Sequence, residues 1–540
     1  MKLGSSVVLT ASIGGILMAG ALITASGQSA NVMPERSAVQ PISIAATSVI
    51  EVDDRANTTA TGTTSKDDDI PANEARQPAK PAPATPDKGY VFAGSLRLRV
   101  EDQNYFPTSK ANGAYTFLGG ALRYGVTRQT KLADYMVELE APFLFGLPTK
   151  AIASAPQGQL GHGATYFAAN GSQVASVFLK QAWVRIKDFS TPGQSLRLGR
   201  FEFSDGLETT ATDVNLAWIK QNRISQRLLG PLGYTMVTRS FDGVQFVANS
   251  PKQNLTVMGF LPTRGNFDLN GMDSLPAIRV GYMSLTLPRA RKESASDARL
   301  FYLYYEDTRT QAVKTDNRPL VIRTADSRAI RISTFGAHYT RVMKLGAGKA
   351  DVLAWAAGQL GKWGPLDHGA YAAVGELGYQ MPRWDWKPWF RVGYDYYSGD
   401  GNPANNQHGT FFPVMPTHRL YSRYALFTES NLQDVFGQVI LRPNARLSLR
   451  ADLHSFRLAQ NRDLWYAGPG AGENQVFGYS GRPSSGRGDL ATLVDLSADY
   501  QLTKSTAFTL YAAYANGGRP ATIFNSRDSI FGYAELNWKF

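Results

Sequence analysis

After residue 90, hydrophobic and polar side chains alternate with a period of two along most of the chain. From Ile530 to Phe540, one face carries Ile530, Gly532, Ala534, Leu536, Trp538 and Phe540, and the other Phe531, Tyr533, Glu535, Asn537 and Lys539. Successive side chains of a strand point to opposite faces, so such a segment offers one side to lipid and one to water. Segments of this kind begin near Tyr90, Tyr115, Lys131, Ala175, Gln194, Tyr234, Asn254, Ala277, Ala298, Arg331, Asp351, Gly369, Lys387, Asn431, Arg446, Asp489, Ser505 and Ile530. They predict about eighteen strands, each bounded by turn residues.

The links between these strands alternate in length. Short ones such as Gln129-Thr130, Ser250-Pro251 and Pro443-Asn444 are followed by long ones such as Pro148 to Gln173, Asp205 to Gly233, Gly399 to Ser430 and Gln460 to Gly488. Every long link follows an odd-numbered strand. Short periplasmic turns and long external loops distinguish outer-membrane barrels, and this alternation places both termini in the periplasm. The expected fold is therefore all-β, a transmembrane antiparallel up-and-down β-barrel of outer-membrane type. A propeller would show a regular blade repeat, and none is found.

The front of the chain has a different character. Lys2 precedes an uncharged run from Leu3 to Ile23 and the small residues Ala25-Ser26-Gly27, which reads as a signal peptide over 1–27. Residues 28–89 are rich in Pro, Ser and Thr, with an acidic cluster at Asp67 to Asp69. Such a segment buries too little apolar surface to order itself and is expected to be a disordered periplasmic linker. The expected barrel domain is 90–540. The chain holds 56 basic and 44 acidic residues and no cysteine. Residues 1–89 hold seven and nine of these, so the barrel keeps 49 against 35, a surplus of +14.

If the apolar side of each strand faces lipid, the inner wall is charged. The expected inward rows are Arg97, Arg99 and Glu101; Arg279; Tyr302, Tyr304 and Glu306; Glu376; Arg391 and Asp395; Ser448, Arg450, Asp452 and His454; and Asp489 and Asp495. Strands four and five remain open, because Lys180 and Arg185 fall on opposite faces, as do Arg197 and Arg200. Such charges are tolerable where water fills the lumen or where opposite charges pair. Each arginine thus has two readings, as a rung of a structural ladder or as part of a positive field that selects anions.

Chemistry beyond conduction is weakly represented. The six histidines show no metal-ligand spacing, and only His338 and His454 fall on expected inner faces. No catalytic residue, metal or cofactor is expected, and a barrel enzyme is the least favoured reading.

Several blocks resemble the alginate export family of outer-membrane proteins: LRLGRFEF from Leu196, RLLGPLGY from Arg227 and RSFDGVQF from Arg239, then GYDYYSGDGNP from Gly393, HGTFFPVMPTH from His408, SNLQDV from Ser430 and LSLRADLHSFRLA from Leu447. The resemblance implies a monomeric eighteen-stranded barrel whose arginine-rich lumen passes anionic polysaccharide. Carried over by position, it implies lumen roles for Arg200, Glu202, Arg227, Arg239, Asp242, Asp395, Asp452, His454 and Arg457. The chain departs from the family at Phe201, where Gln is usual, and in an added stretch from Thr209 to Ser225.

The combined expectation is a passive anion-selective channel in the outer membrane of a Gram-negative bacterium, with alginate-like export as its specific form. The alternative is an uptake porin for carboxylated or aromatic small molecules. Expected partners are outer-membrane lipid, an anionic polysaccharide or carboxylated solute, and the outer-membrane assembly machinery; no nucleic acid is expected.

Overall fold

The structure, a computed structural model, describes residues 89–540 apart from 418–421, 425, 469, 473–476 and 519–522. The expected signal peptide and residues 28–88 of the expected linker lie outside the described residues.

Eighteen strands form the wall: β1 (Tyr90–Asn104), β2 (Ala114–Gln129), β3 (Ala133–Phe145), β4 (Phe178–Lys187), β5 (Gln194–Phe201), β6 (Phe241–Ser250), β7 (Gln253–Pro262), β8 (Ile278–Arg291), β9 (Ser294–Asp307), β10 (Ile330–Leu345), β11 (Gly348–Trp363), β12 (Leu366–Gln380), β13 (Trp389–Tyr397), β14 (Leu432–Asn444), β15 (Leu447–Leu458), β16 (Asp489–Gln501), β17 (Thr506–Gly517) and β18 (Asp528–Lys539). Each pairs antiparallel with the next, and β18 pairs with β1, so the sheet closes. Closure satisfies the backbone of every wall strand and leaves no sheet edge, as a lipid-exposed sheet requires. Among the described residues no helix is long and apolar enough to cross a membrane.

The seam is the segment in which the period-two pattern is clearest. Arg97 stands opposite Asn537, Arg99 opposite Glu535, and Val100 opposite Ala534. The last residue extends the pairing, because Gly94 and Phe540 exchange two backbone hydrogen bonds of 2.9 Å. Phe540 stacks on Tyr124, and Tyr90, Phe92, Tyr135, Trp538 and Phe540 are exposed at the short-turn end of the wall. Such an aromatic row is the girdle that positions a barrel at the membrane interface.

The expected strand starts agree with the observed ones within a few residues, with one exception. The sixth strand begins at Phe241 rather than near Tyr234, and Tyr234 to Ser240 is almost wholly buried. Among the described residues three helices lie in the long links: α1 (His162–Asn170), α2 (Val214–Ile219) and α3 (Leu320–Ala325). Asp213 caps α2, accepting from the backbone N–H of Asn215 and Leu216 at 2.9 and 3.0 Å. The helix then runs directly into a π-turn from Lys220 to Ile224.

The seam can be tested at Gly94. A β-carbon there would meet the Phe540 ring at 2.5 Å and Tyr124 at 2.9 Å. Gly94→Val is expected to destabilise the closed barrel by about 1–3 kcal/mol through overpacking. A lower denaturant midpoint for the heat-modifiable folded band on gels checks this, and an unchanged midpoint counts against the seam as described.

Candidate functional site: a charged segment across the lumen

The link from β5 to β6, residues 202–240, does not stay outside. Its side chains and backbone carbonyls contact inward groups on strands all around the barrel. Arg97 on β1 donates to the carbonyls of Gly233, at 2.6 Å, and Thr235. Lys180 on β4 donates to the carbonyl of Thr238 at 2.7 Å and pairs with Glu202 at 3.1 Å. Arg299 on β9 pairs with Asp205 at 3.2 Å and Glu208 at 3.0 Å, and Lys220 pairs with Asp297 on the same strand at 2.7 Å. Only a segment lying inside the barrel can touch β1, β4 and β9 together.

The added stretch reaches furthest toward the short-turn end. Asp213 pairs with Lys349 at the start of β11, Asn215 donates to Gln380 at the end of β12, and Trp218 packs edge-on to Trp389 at the start of β13. Above them three arginines meet three carboxylates. Arg223 bonds Glu376 at 2.9 Å, Arg227 lies 3.3 Å from Asp395 and 3.6 Å from Glu376, and Arg391 pairs with Asp351 at 3.0 Å and Glu376 at 2.9 Å. All six are buried. Trp355, Phe436 and Trp389 cover the faces of the guanidinium groups. The Tyr397 hydroxyl accepts from Arg227 at 2.6 Å.

Most residues expected in the lumen are inside it. Arg99 lies between Glu535 at 2.6 Å and Glu101 at 3.0 Å, with Tyr234 and Tyr533 on its faces. Arg239 is fully buried, and a β-carbon added at Gly470 would lie 3.4 Å from its Nη1. Arg450 is paired with Asp452, and His454 Nδ1 lies 2.8 Å from Asp434. Glu202 joins Arg123 and Lys180, each at 3.1 Å.

Seven expected lumen residues face the other way. Arg279 has a 67% exposed side chain and pairs with Glu306 at 3.4 Å, and Glu306 also binds Arg331 at 2.8 Å. Tyr302, Tyr304 and Glu306 share that outward face with the exposed Leu300, whereas Phe301, Leu303 and Tyr305 are buried inward. The expectation failed because the inner side here is the more apolar one: Phe301 stacks on Trp355, and Tyr305 packs on Phe412. Arg200 and Asp242 are bidentate partners at 2.7 and 2.8 Å on the face of the exposed Leu198 and Val244, opposite the buried Phe201 and Phe241. Arg457 is exposed beside Leu453, on the side opposite His454 and Phe456.

Sequence reasoning missed Asp351, Arg123, Lys220 and Arg223. The signal available for the last two was the added stretch itself, which places Asp213, Lys220 and Arg223 among apolar residues at helical spacing.

A family model described as alginate export matches residues 162–519, more than half of the chain. The chain belongs to the alginate export family. Among solved structures it resembles OccK9 (OpdG) of Pseudomonas aeruginosa, with 11% identity, 83% of this chain and 97% of that one covered, and a TM-score of 0.50. It also resembles OccAB4 of Acinetobacter baumannii, with 9% identity, 85% and 98% covered, and a TM-score of 0.49. For Pseudomonas aeruginosa OpdK with vanillate the values are 8%, 83%, 98% and 0.48. No curated protein matches it by sequence. Family membership and the closed barrel make the protein an outer-membrane channel.

Two outcomes follow for the charged core. Glu376→Gln removes the carboxylate shared by Arg223, Arg227 and Arg391, which is expected to cost about 3–5 kcal/mol because the cations stay buried. Arg279→Gln on the outer face is expected to stay within about 0.5 kcal/mol of the parent. Equal denaturant midpoints for the two variants would sink this assignment of faces.

The loops give a pH dependence. Asp463 accepts from Thr410 at 2.6 Å, from the Asp400 N–H at 2.8 Å and from Tyr466 at 2.8 Å, tying two long links together. Burial pushes its carboxyl up to about 6 despite these donors. A carboxyl raised on folding stabilises fully below its ordinary value near 4 and loses that contribution as pH rises through about 6. Hydrogen exchange in residues 398–417 and 459–468, corrected for intrinsic rate, is expected to be slower at pH 5 than at pH 7.5. Asp463→Asn should abolish the difference.

Proposed function

We propose that this channel conducts anionic saccharides passively, with export of an alginate-like polymer as its specific form. The observation that supports this reading is how the lumen cations are held. Most are matched by carboxylates and make a neutral scaffold. A smaller set has no described carboxylate within ion-pair distance. Arg97 is held by the Gly233 and Thr235 carbonyls. Arg197 lies over Phe201 at 4.2 Å and Trp183 at 5.5 Å, and Arg442 over Trp389 at 5.4 Å. Arg482 donates to the carbonyls of Gln157 and Gln159.

These four extend from Arg442 near a short turn, through Arg97 and Arg197 in mid-strand, to Arg482 among the long links. Neutral acceptors and ring faces orient a guanidinium without cancelling its charge, so the field of each reaches the lumen. Spaced cationic stations that bind weakly let a carboxylated sugar pass from one to the next. Arginine presents paired donors to each uronate carboxylate. Both termini lie on the periplasmic side in this reading, and no chemistry on the solute is needed.

Uptake of small carboxylates through the same stations is the second reading. It draws support from the lumen segment, which leaves less room for a polymer than for a small solute. The two readings separate in planar bilayers. Anion preference in asymmetric salt and block by oligouronates are expected of the parent. Arg97→Glu and Arg197→Glu should each lower the anion-to-cation permeability ratio severalfold with assembly intact. Deleting Thr209 to Ser225 should raise conductance severalfold and admit longer oligouronates. Cation preference in the parent, or no block by oligouronates at any concentration, would falsify the saccharide reading.

A further inference from the structure

The wall formed by β14, β15 and β16 holds a second arrangement of charges, adjoining the lumen-crossing arginines where Asp434 stands opposite Asp395. Asp452 and His454 are successive inward residues of β15, and Asp495 on β16 stands opposite Asp452 in register. One carboxylate oxygen from each aspartate and one ring nitrogen of His454 all lie within 4.8 Å of one another, and all three residues are buried. His454 is 0% exposed.

The protonation pattern of His454 follows from its neighbour on β14. Its Nδ1 lies 2.8 Å from the Asp434 carboxylate, so a neutral ring donates from Nδ1 and keeps its lone pair on Nε2. That Nε2 is buried and makes no hydrogen bond, and the same is true of Asp495 Oδ2. A carboxylate that fixes the ring through Nδ1 and leaves Nε2 open is the usual support of a metal-bound histidine. Phe436, opposite His454 on β14, and Phe456 stack on the ring with centroids 5.6 and 5.3 Å away, which holds its orientation.

The charges are also unbalanced. Asp434, Asp452 and Asp495 face this space from three strands, and among the described residues Arg450 is paired there with Asp452. The nearby Arg423 is engaged with Asp499 at 2.8 Å. A divalent ion would offset part of this excess of carboxylates. Buried charges without such an offset are costly.

We propose that Asp452, His454 and Asp495 bind a divalent transition-metal ion in the lumen wall. One nitrogen and two oxygen donors suit an ion of the Zn2+ or Mn2+ kind better than Ca2+ or Mg2+, which favour all-oxygen sets. Donors held at about 2.0–2.2 Å from a zinc ion stand roughly 3–4 Å apart, within the observed spread. The ion converts an acidic patch of the wall into a neutral or positive one and links β15 to β16 by side chains as well as backbone. The proposal stands on the wall geometry and does not depend on which solute the channel carries.

The test uses the full-length protein, folded in detergent, stripped with EDTA, desalted and titrated with Zn2+. Calorimetry and elemental analysis are expected to give one ion per chain, with a higher thermal midpoint when Zn2+ is present. Asp495→Asn and His454→Gln should each weaken binding at least about 10-fold, and Asp434→Asn should weaken it by about 10- to 100-fold through the ring orientation alone. Heat-modifiable mobility on gels confirms folding, and Asp495→Asn carries the test if His454→Gln does not fold. Substoichiometric Zn2+ on the folded parent overturns the site, as does undiminished binding in the folded variants.

Discussion

The structure depends on compensating charge inside a closed wall. Closing eighteen strands removes the sheet edges but leaves an interior that something must fill, and here residues 202–240 enter it. The segment carries Lys220, Arg223 and Arg227 to full burial, a placement that the wall must answer with Asp297, Glu376 and Asp395. Each ion pair alone is a poor source of stability, because desolvation consumes most of the attraction. Their combined effect is specificity. With Asp351 and Arg391 added, four cations face four anions, and displacing any one of them leaves a buried charge without a counterpart.

This filling also decides which parts of the fold were legible from sequence. Wall strands were legible because lipid contact and pleat geometry impose a period of two, and the alternation of link lengths gave their order. Seventeen of the strand starts follow that rule, but Tyr234 does not. The Tyr234 to Ser240 run looks like a strand because it is apolar and β-prone, yet its apolar groups pack on α1 and the wall from within. Face assignments failed for the same reason. A rule that equates the apolar side with lipid holds for Arg97 and Arg450, where the inner face is polar. It inverts at β8 and β9, where Val280, Tyr282, Phe301 and Tyr305 meet protein instead of water. Pairings across strands, such as Arg223 with Glu376, are invisible in a linear reading because their partners are far apart in sequence.

The outward charges have a separate logic. Arg279, Glu306 and Arg331 stand side by side on β8, β9 and β10, and Lys362 continues the row on β11 opposite Arg331. All four lie at the long-loop ends of their strands. Charged side chains on the lipid side are costly near the mid-plane and cheap near the interface. Their position therefore marks where the apolar band ends, just as the exposed aromatics mark its opposite limit.

Arg97 and Arg99 show how differently one wall can hold its cations. They are two residues apart on the same face of β1, yet their surroundings differ in kind. Arg99 has carboxylates on two sides and ring faces on two more, so its charge is spent locally and its geometry is fixed. Arg97 donates to backbone carbonyls of the lumen segment, and among the described residues it makes no ion pair. A carbonyl dipole orients a guanidinium but supplies no net countercharge, so the field of Arg97 remains while its side chain stays ordered. The lumen segment thus does two things at once: it fills part of the barrel interior, and its backbone holds a cation of the wall in place without an ion pair.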